Sequence, residues 1–260
     1  MNRMTIGITM GDAAGIGPEI TVKSLAVKEV YEKCIPVVIG DCEPMRDALA
    51  FCHSDLKLNI IENVNDAKGE FGTIDLIDMK FLPPGSWEYK KPRTICGDAC
   101  FHYITYAIKL AMDHAIGAVV TAPINKEALH MAGHNYAGHT EIFAEYTHTP
   151  KYGMMLASGP LRVIHVSTHV SLREACDRVK KDRVLGHIPL KLSGFKLDPV
   201  TNAYTNMSGI NCTIGLPVIR SSVDHGTAYD KAGEGRANEE SMLDAIFAGI
   251  QMSKTKFGTK

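Results

Sequence analysis

Residues 118–141 read A-V-V-T-A-P-I-N-K-E-A-L-H-M-A-G-H-N-Y-A-G-H-T-E, and the rest of the chain is organised around them. The apolar run at 118–120 predicts a buried strand, and the polar segment after it contains three histidines and two glycines. Proteins of the α/β class place ligand chemistry on loops that leave the ends of buried strands. This segment is therefore the first candidate for a binding site.

The two halves of the polar segment allow different interpretations. In the first half, Asn125, Lys126 and Glu127 either open a surface helix or contact a ligand, because both roles use this composition. In the second half, residues 138–141 place an imidazole, a hydroxyl group and a helix start in consecutive positions. Residues 138–141 are therefore the first candidate for substrate contact.

The composition excludes several classes of protein. The chain has 260 residues, a net charge of -1 and a pI near 6.8, so it has no broad attraction for nucleic acid. No apolar run approaches the ~18 residues of a membrane span, and no secretory signal is recognisable. We therefore expect a cytoplasmic protein with no nucleic acid or membrane partner, long enough for two lobes. The seven cysteines lack C-x-x-C pairs, which favours reduced, mostly buried thiols.

The N-terminal segment predicts a strand, a glycine loop and a helix. Residues 5–10 form the strand, and G-D-A-A-G-I-G-P-E at 11–19 interrupts it before an apolar helical pattern. The third glycine of a G-x-G-x-x-G motif is absent, since Ile20 stands in its place. The Rossmann dinucleotide fingerprint is therefore excluded. Asp12 either lines a site or caps the turn.

The rest of the chain continues the α/β pattern. Residues 42–95 predict a helix, a strand at 56–61 and a run of connection and edge, and residues 97–114 predict an amphipathic helix. Later strands are predicted at 154–156, 161–166 and 211–219, and a terminal helix at 239–252. The Gly-, His- and Asp-rich loop between the last strand and that helix suits a nucleotide.

Five motifs, taken in order, closely resemble the 4-hydroxythreonine-4-phosphate dehydrogenase family of pyridoxal phosphate biosynthesis and its branch acting on 4-phosphorylated threonate or erythronate. They are G-D-A-A-G-I-G-P-E at 11–19, T-A-P-I-N-K-E-A-L at 121–129, G-H-T-E at 138–141, S-T-H at 167–169 and N-C-T-I-G-L-P-V-I-R-S-S-V-D-H-G-T-A at 211–228. Ala13 departs from the family's usual proline. The last motif also resembles the adenosine-side loop of isopropylmalate and isocitrate dehydrogenases.

The resemblance implies a fold, an activity and a set of partners. The implied fold is the two-domain α/β fold of isocitrate and isopropylmalate dehydrogenases, with a cofactor domain at 1–120 and 213–260 and a substrate and dimerisation domain at 121–212. The implied activity is oxidation of a secondary alcohol in a 4-phosphorylated hydroxy acid, which decarboxylation can follow. The implied cofactors are NAD and a divalent metal such as Zn, Mg, Mn or Co, and a homodimer is expected.

The resemblance also assigns roles to individual residues. The implied substrate contacts are His139, Thr140, Lys191, Asn211 and Arg220, which offer the cationic and amide groups that phosphate and carboxylate require. His169 matches one metal ligand. The implied cofactor contacts are Asp224, His225, Gly226, Thr227 and Asn238. No residue is assigned to proton transfer.

One departure from the family is large. The family carries two further metal histidines in motifs of the type N-P-H-A-G-E and Y-H-D-Q-G, and both motifs are absent from this sequence. Val184-Leu185 runs straight into Gly186-His187, so a long segment is predicted to be missing near 185–186. One imidazole holds a catalytic metal poorly. Either the sequence is an incomplete rendering of a full-length enzyme, or it is a short paralogue that has lost its metal chemistry. A third hypothesis is a catalytically silent protein that binds a phosphorylated acid.

Overall fold

The computed structural model of the protein describes residues 3–158, 161–168, 170–187 and 209–258. The strands are β1 (Met4–Thr9), β2 (Cys34–Gly40), β3 (Lys57–Ile61), β4 (Thr73–Asp78), β5 (Ala118–Thr121), β6 (Gly153–Ser158), β7 (Leu161–Ile164), β8 (Ile210–Ile214) and β9 (Arg220–Val223). The helices are α1 (Gly17–Leu25), α2 (Lys28–Lys33), α3 (Cys42–Phe51), α4 (Thr94–Met112), α5 (Lys126–Met131), α6 (His139–Tyr146), α7 (Leu172–Arg178), α8 (Lys181–His187) and α9 (Glu240–Phe257).

All nine strands belong to one mixed sheet in the order β3-β4-β2-β1-β5-β9-β8-β6-β7. The six neighbouring strands β3, β4, β2, β1, β5 and β9 pair in parallel, with β1 between β2 and β5. The apolar runs of β1, β2, β4 and β5 are buried on both faces, as parallel strands covered by helices require, whereas the edge strand β3 exposes Ile60. Helix α4 packs against β1, β2 and β5, and α9 packs against β1, β5 and β9. The α/β class predicted from the sequence is confirmed.

The last strands of the sheet run the other way. β8 pairs antiparallel with β9 and with β6, and β7 continues the antiparallel pairing at the edge. The predicted strand at 211–219, with its break at Gly215, is observed as β8 as far as Ile214; the chain then turns at Gly215, where φ is +91°, and β9 begins only at Arg220. A glycine adopts that left-handed backbone conformation without the steric strain that a Cβ would add.

Two strands were not predicted from the sequence: β9, which lies in a stretch expected to be loop, and β4. Residues 73–78, expected to be connection or edge, form β4, which lies inside the sheet between β3 and β2. Ile74 and Leu76 are fully buried, and Asp75 between them is buried as well. The Asp75 carboxylate accepts hydrogen bonds from Asn59 Nδ2 at 2.6 Å and from the Gly69 amide at 2.8 Å. A buried acid satisfied in this way interrupts the apolar pattern without destabilising the strand.

The predicted domain boundaries lie within two strands of the sheet. The boundary at 120/121 falls in β5, and the boundary at 212/213 falls in β8. The two-domain division and the internal truncation both stay predictions. None of the helices in the described ranges combines the length and apolarity that crossing a membrane requires.

Candidate functional site

A cavity of about 360 Å³ opens where the parallel and antiparallel parts of the sheet meet. It begins at Thr121 and Ser222, the residues that pair at the carboxyl ends of β5 and β9. The carboxyl ends of parallel strands are where open α/β sheets bind ligands. The cavity is also lined by residues of the 122–126 and 137–141 segments, by the start of β6, by Asn211 and Arg220, and by residues 165, 167, 168, 183 and 223–226.

Arg220 is the principal charge of this cavity. Its side chain enters the site from β9 and is 3% exposed. The guanidinium donates to Thr121 Oγ1 at 3.0 Å, to Thr213 Oγ1 at 3.2 Å and, more weakly, to Asn211 Oδ1 at 3.5 Å. All three acceptors are neutral, and no carboxylate of the described residues lies within ion-pair distance of it.

The charge of Arg220 persists despite this burial. Burial lowers the pKa of the guanidinium to about 10, with smaller opposing effects from Cys212 and Glu141. The side chain is therefore a cation at neutral pH. Its Nε has no hydrogen-bond partner among the described residues. A buried cation that lacks a counter-charge is costly unless an anion completes the site.

Helix α6 begins in the same cavity. Its N-cap is Gly138, a residue without a side chain to cap the helix, so the first amide groups of the helix remain available to a ligand. The positive end of the helix dipole lies there as well, which favours an anion. His139 and Thr140 are the first two residues of this helix, so the geometry brings together two of the predicted substrate contacts.

His139 is neutral in this site. Burial lowers the pKa of its imidazole well below the ordinary value, and the charge of Arg220 lowers it further. The residue as a whole is half-buried, but its Nε2 is buried and has no partner among the described residues. A neutral imidazole with an unsatisfied nitrogen is ready to hydrogen-bond a ligand.

The predicted cofactor contacts divide into two groups. Asp224, His225 and Gly226 line the cavity immediately after β9. Thr227 lies outside the cavity, and its carbonyl accepts from the Ile16 amide at 3.0 Å. Asn238 also lies outside, where its Oδ1 accepts from the Glu240 amide at 2.7 Å at the start of α9.

Asp12 connects the glycine loop at 11–19 to the loop that contains Tyr229. Its carboxylate accepts from the Tyr229 hydroxyl at 2.6 Å and from the Ala14 amide at 2.9 Å. Burial is the main influence on this carboxyl group and raises its pKa, against smaller lowering effects of the two hydrogen bonds. Asp12 is not among the cavity residues, so the turn-capping alternative fits its contacts.

The predicted metal ligand is not among the described residues. His169 and Lys191 lie outside the described residues. Within those residues, no three side chains of His, Cys, Asp or Glu are grouped closely enough to hold a metal ion. The described part of the chain therefore does not by itself provide the ligand set that a catalytic divalent ion needs.

Several cavity residues were not predicted from the sequence. Tyr152, His165 and Arg183 come from separate elements, and nothing in the local pattern singles them out. Lys126 and Glu141 lie in the segment that the sequence analysis emphasised, and both reach the cavity. Membership of a shared cavity depends on how the elements pack, which spacing along the chain does not report.

Comparison with known proteins agrees with this geometry. The family model described as pyridoxal phosphate biosynthetic protein PdxA matches residues 32–185 and 185–248. The chain belongs to this family. The two matched portions of this PdxA-family protein meet at residue 185, the position at which the sequence departs from the resemblance.

Alignments with individual relatives include nearly the whole of this chain. The D-threonate 4-phosphate dehydrogenase of Cupriavidus necator is 37% identical over 323 residues, covering 95% of this chain and 97% of that protein. The alignment is longer than the 260 residues of this chain, so the relative has residues without a counterpart here.

Two solved structures have the same fold. The 4-hydroxythreonine-4-phosphate dehydrogenase of Burkholderia phymatum has a TM-score of 0.83 at 34% identity, covering 97% of this chain and 99% of that one. The 4-hydroxythreonine-4-phosphate dehydrogenase of Klebsiella pneumoniae has a TM-score of 0.84 at 30% identity, with coverage of 96% and 98%. The family is thus one of oxidoreductases that act on a hydroxyl group.

Proposed function

We propose that this protein oxidises a secondary alcohol of a 4-phosphorylated hydroxy acid, using NAD and a divalent metal, with decarboxylation able to follow. The proposed substrate class contains 4-phospho-D-threonate and 4-phosphohydroxy-L-threonine. The name of the Cupriavidus relative favours the first, and the names of the two solved structures favour the second. The description of the matching family, pyridoxal phosphate biosynthetic protein, supports a role in pyridoxine biosynthesis.

The observation that carries this proposal is the uncompensated charge of Arg220. A buried guanidinium that contacts neutral oxygens lacks the anion that would balance it. Arginine binds phosphate and carboxylate with fixed, forked geometry, which suits a substrate that has both groups. The N-terminus of α6 adds amide donors beside the same cavity.

The remaining cavity residues support orientation of the substrate. Thr140 and Asn211 offer a hydroxyl and an amide group, and neutral His139 offers one ring nitrogen. We propose that Asp224, His225 and Gly226 contact NAD, whose nicotinamide would accept the hydride from the substrate carbon. Metal dependence rests on His169 and on the resemblance, so no step of the reaction is assigned to a metal ligand among the described residues.

The finer architecture is part of the same proposal. We propose an isocitrate/isopropylmalate dehydrogenase-like arrangement of two domains, a homodimer, and an internal segment missing at residue 185. Two observations support the missing segment: the family match is divided at residue 185, and the relative's alignment is longer than this chain.

Reduction of NAD by the purified protein tests the activity. The two phosphorylated acids are each supplied with NAD and, in parallel, with Mg²⁺, Mn²⁺, Zn²⁺ or Co²⁺, and absorbance of NADH is followed. We expect one acid to give metal-dependent turnover that chelation abolishes. NADH formation that is unchanged by a chelator would contradict the metal dependence, and NADP as the preferred oxidant would contradict the choice of NAD.

A second candidate function is binding of a phosphorylated acid without turnover, by an impaired paralogue or an incompletely rendered gene. The lack of a three-ligand metal group in the described part of the chain favours this alternative. Stabilisation by the phosphorylated acid without NADH formation under any of the four metals would support it. Sequencing the gene across codons 184–187 then shows whether coding sequence was omitted there, which indicates an incomplete sequence, or not, which indicates a short paralogue.

A further inference from the structure

Two threonine hydroxyl groups, those of Thr213 and Thr140, connect Arg220 to the start of α6, and the hydroxyl of Thr121 contacts Arg220 from β5. Thr213 Oγ1 accepts from Arg220 Nη1 at 3.2 Å and lies 3.3 Å from Thr140 Oγ1. Thr121 Oγ1 accepts from Arg220 Nη2 at 3.0 Å. These contacts link β5, β8, β9 and α6, so four elements meet at one guanidinium.

The chemistry of arginine sets the direction of these hydrogen bonds. A guanidinium can only donate, so the Thr213 oxygen is an acceptor toward Arg220. The hydroxyl hydrogen of Thr213 remains available, and Thr140 Oγ1 lies within hydrogen-bond distance, where either oxygen can act as the donor. In the arrangement with Thr213 as the donor, Thr140 Oγ1 accepts this hydrogen. Thr140 in turn has its own hydrogen free to donate into the cavity that it lines. Hydrogen bonds arranged in series polarise one another, so the last hydroxyl becomes a better donor.

We propose that Thr213 is a positioning residue that fixes the guanidinium of Arg220 and turns the hydroxyl of Thr140 into a hydrogen-bond donor toward the anionic substrate. This role rests on the proposed function, because it concerns the same phosphorylated acid. Neither the family match nor the resemblance assigned a role to Thr213.

The role proposed for Thr213 requires an uncharged side chain at this position. A carboxylate at residue 213 would pair with Arg220 and remove the charge that attracts the ligand. A hydroxyl holds the guanidinium in place and leaves its charge uncompensated. The Phe143 ring lies 5.9 Å from the guanidinium carbon and adds apolar packing on another side. The arginine is thus fixed by groups that do not neutralise it.

Binding of 4-phospho-D-threonate to the full chain, measured by isothermal titration calorimetry, tests this role. Thr213→Val keeps the shape of the side chain and removes its hydroxyl, and we expect affinity about tenfold weaker, which corresponds to loss of a hydrogen bond to a charged group. Thr213→Ser keeps the hydroxyl and should restore affinity to within about twofold of the unmodified protein.

Thr147 provides the matched control. Thr147 and Thr213 are both 6% exposed, and the Thr147 hydroxyl donates to the Phe143 carbonyl at 2.7 Å, away from the cavity. Thr147→Val should lower the unfolding temperature about as much as Thr213→Val and leave the affinity unchanged. The control therefore separates a loss of local stability from a loss of ligand binding.

A double-mutant cycle tests the link to Thr140. If Thr213 acts through Thr140, the loss caused by Thr140→Val and Thr213→Val together is smaller than the product of the two separate losses. Separate effects that multiply would overturn the series arrangement. Unaltered affinity in Thr213→Val would overturn the inference and leave the proposed function standing. Lack of binding by the unmodified protein to either phosphorylated acid would overturn both.

Discussion

The parallel and antiparallel parts of the sheet differ in how completely they are covered. Leu76 in the parallel part is fully buried, whereas Leu161 in the edge strand β7 is 63% exposed. Helix α7, which follows β7, has no buried residues, and its Leu172 is 83% exposed. The cavity lies between these two parts. The parallel side of the cavity is therefore closely packed, whereas the antiparallel side exposes apolar side chains within the described residues.

Exposed apolar side chains lie close to residue 185, where the two portions of the family match meet. Helices α7 and α8 lie immediately before or at residue 185, where the two matched portions meet. Val179 and Leu185 are exposed there as well. Apolar side chains left uncovered in this way are what loss of packing partners would produce. The antiparallel side of the sheet is therefore covered less completely than the parallel side within the described residues.

The largest expected effect contrasts one leucine from each part. Leu76→Ala should lower the free energy of unfolding by about 3 kcal/mol, because it leaves a cavity in a closely packed core. Leu161→Ala should lower it by less than about 0.5 kcal/mol, because that side chain is largely exposed. Urea denaturation measures both, and equal effects would show that β7 is covered in solution.

The next effect concerns Arg220, on the strand where the two parts meet. Arg220→Met keeps the length of the side chain and removes its charge, so affinity for the phosphorylated acid should fall on the order of a hundredfold. Stability should stay the same or rise, because a buried cation without a counter-charge is replaced by an apolar group. Ligand titration and urea denaturation of the same samples check the two effects.

Arg178→Met is the control for that variant. Arg178 is an exposed arginine of α7 that pairs with Glu174 at 2.6 Å, outside the cavity. Its loss should change neither affinity nor stability measurably, since exposed ion pairs contribute little. A similar fall in affinity for both arginine variants would mean that general charge attraction, and not the site, binds the ligand.

A smaller effect is expected in the pH dependence of stability. The pKa of His139 is lowered in the folded state by burial and by Arg220, so below the ordinary histidine pKa the unfolded chain binds a proton that the folded chain does not. The protein should therefore lose stability as the pH falls from about 7.5 to about 5. His139→Gln should lose less over this range in thermal unfolding. A steeper loss in the variant would contradict the neutral imidazole.

The smallest effect should be at the uncovered surface of α7. Leu172→Gln should change the free energy of unfolding by less than about 0.5 kcal/mol, because a mostly exposed side chain has little packing to lose. Chemical denaturation at two protein concentrations provides the measurement. A large, concentration-dependent loss would show that a second copy of the chain covers this helix.

Most strands and helices were predictable because their signals are local. The apolar run at 118–120 is β5, and the break at Gly215 marks the turn between β8 and β9. β4 was missed because two aspartates interrupt its apolar pattern, and Asp75 is satisfied by groups that the local sequence does not identify. A residue's neighbours in the chain do not reveal which distant donors it will meet.

The sequence by itself determined the α/β class, the family and the loops that carry the ligand chemistry, because these depend on short motifs and on apolar periodicity. The tertiary structure decided which side chains share the cavity and which strands run antiparallel. It also decided that Arg220 contacts Thr121 and Thr213, which lie 99 and 7 positions away along the chain. Such contacts arise from strand order in the sheet, and packing gives the buried charge of Arg220 neutral hydrogen-bond partners.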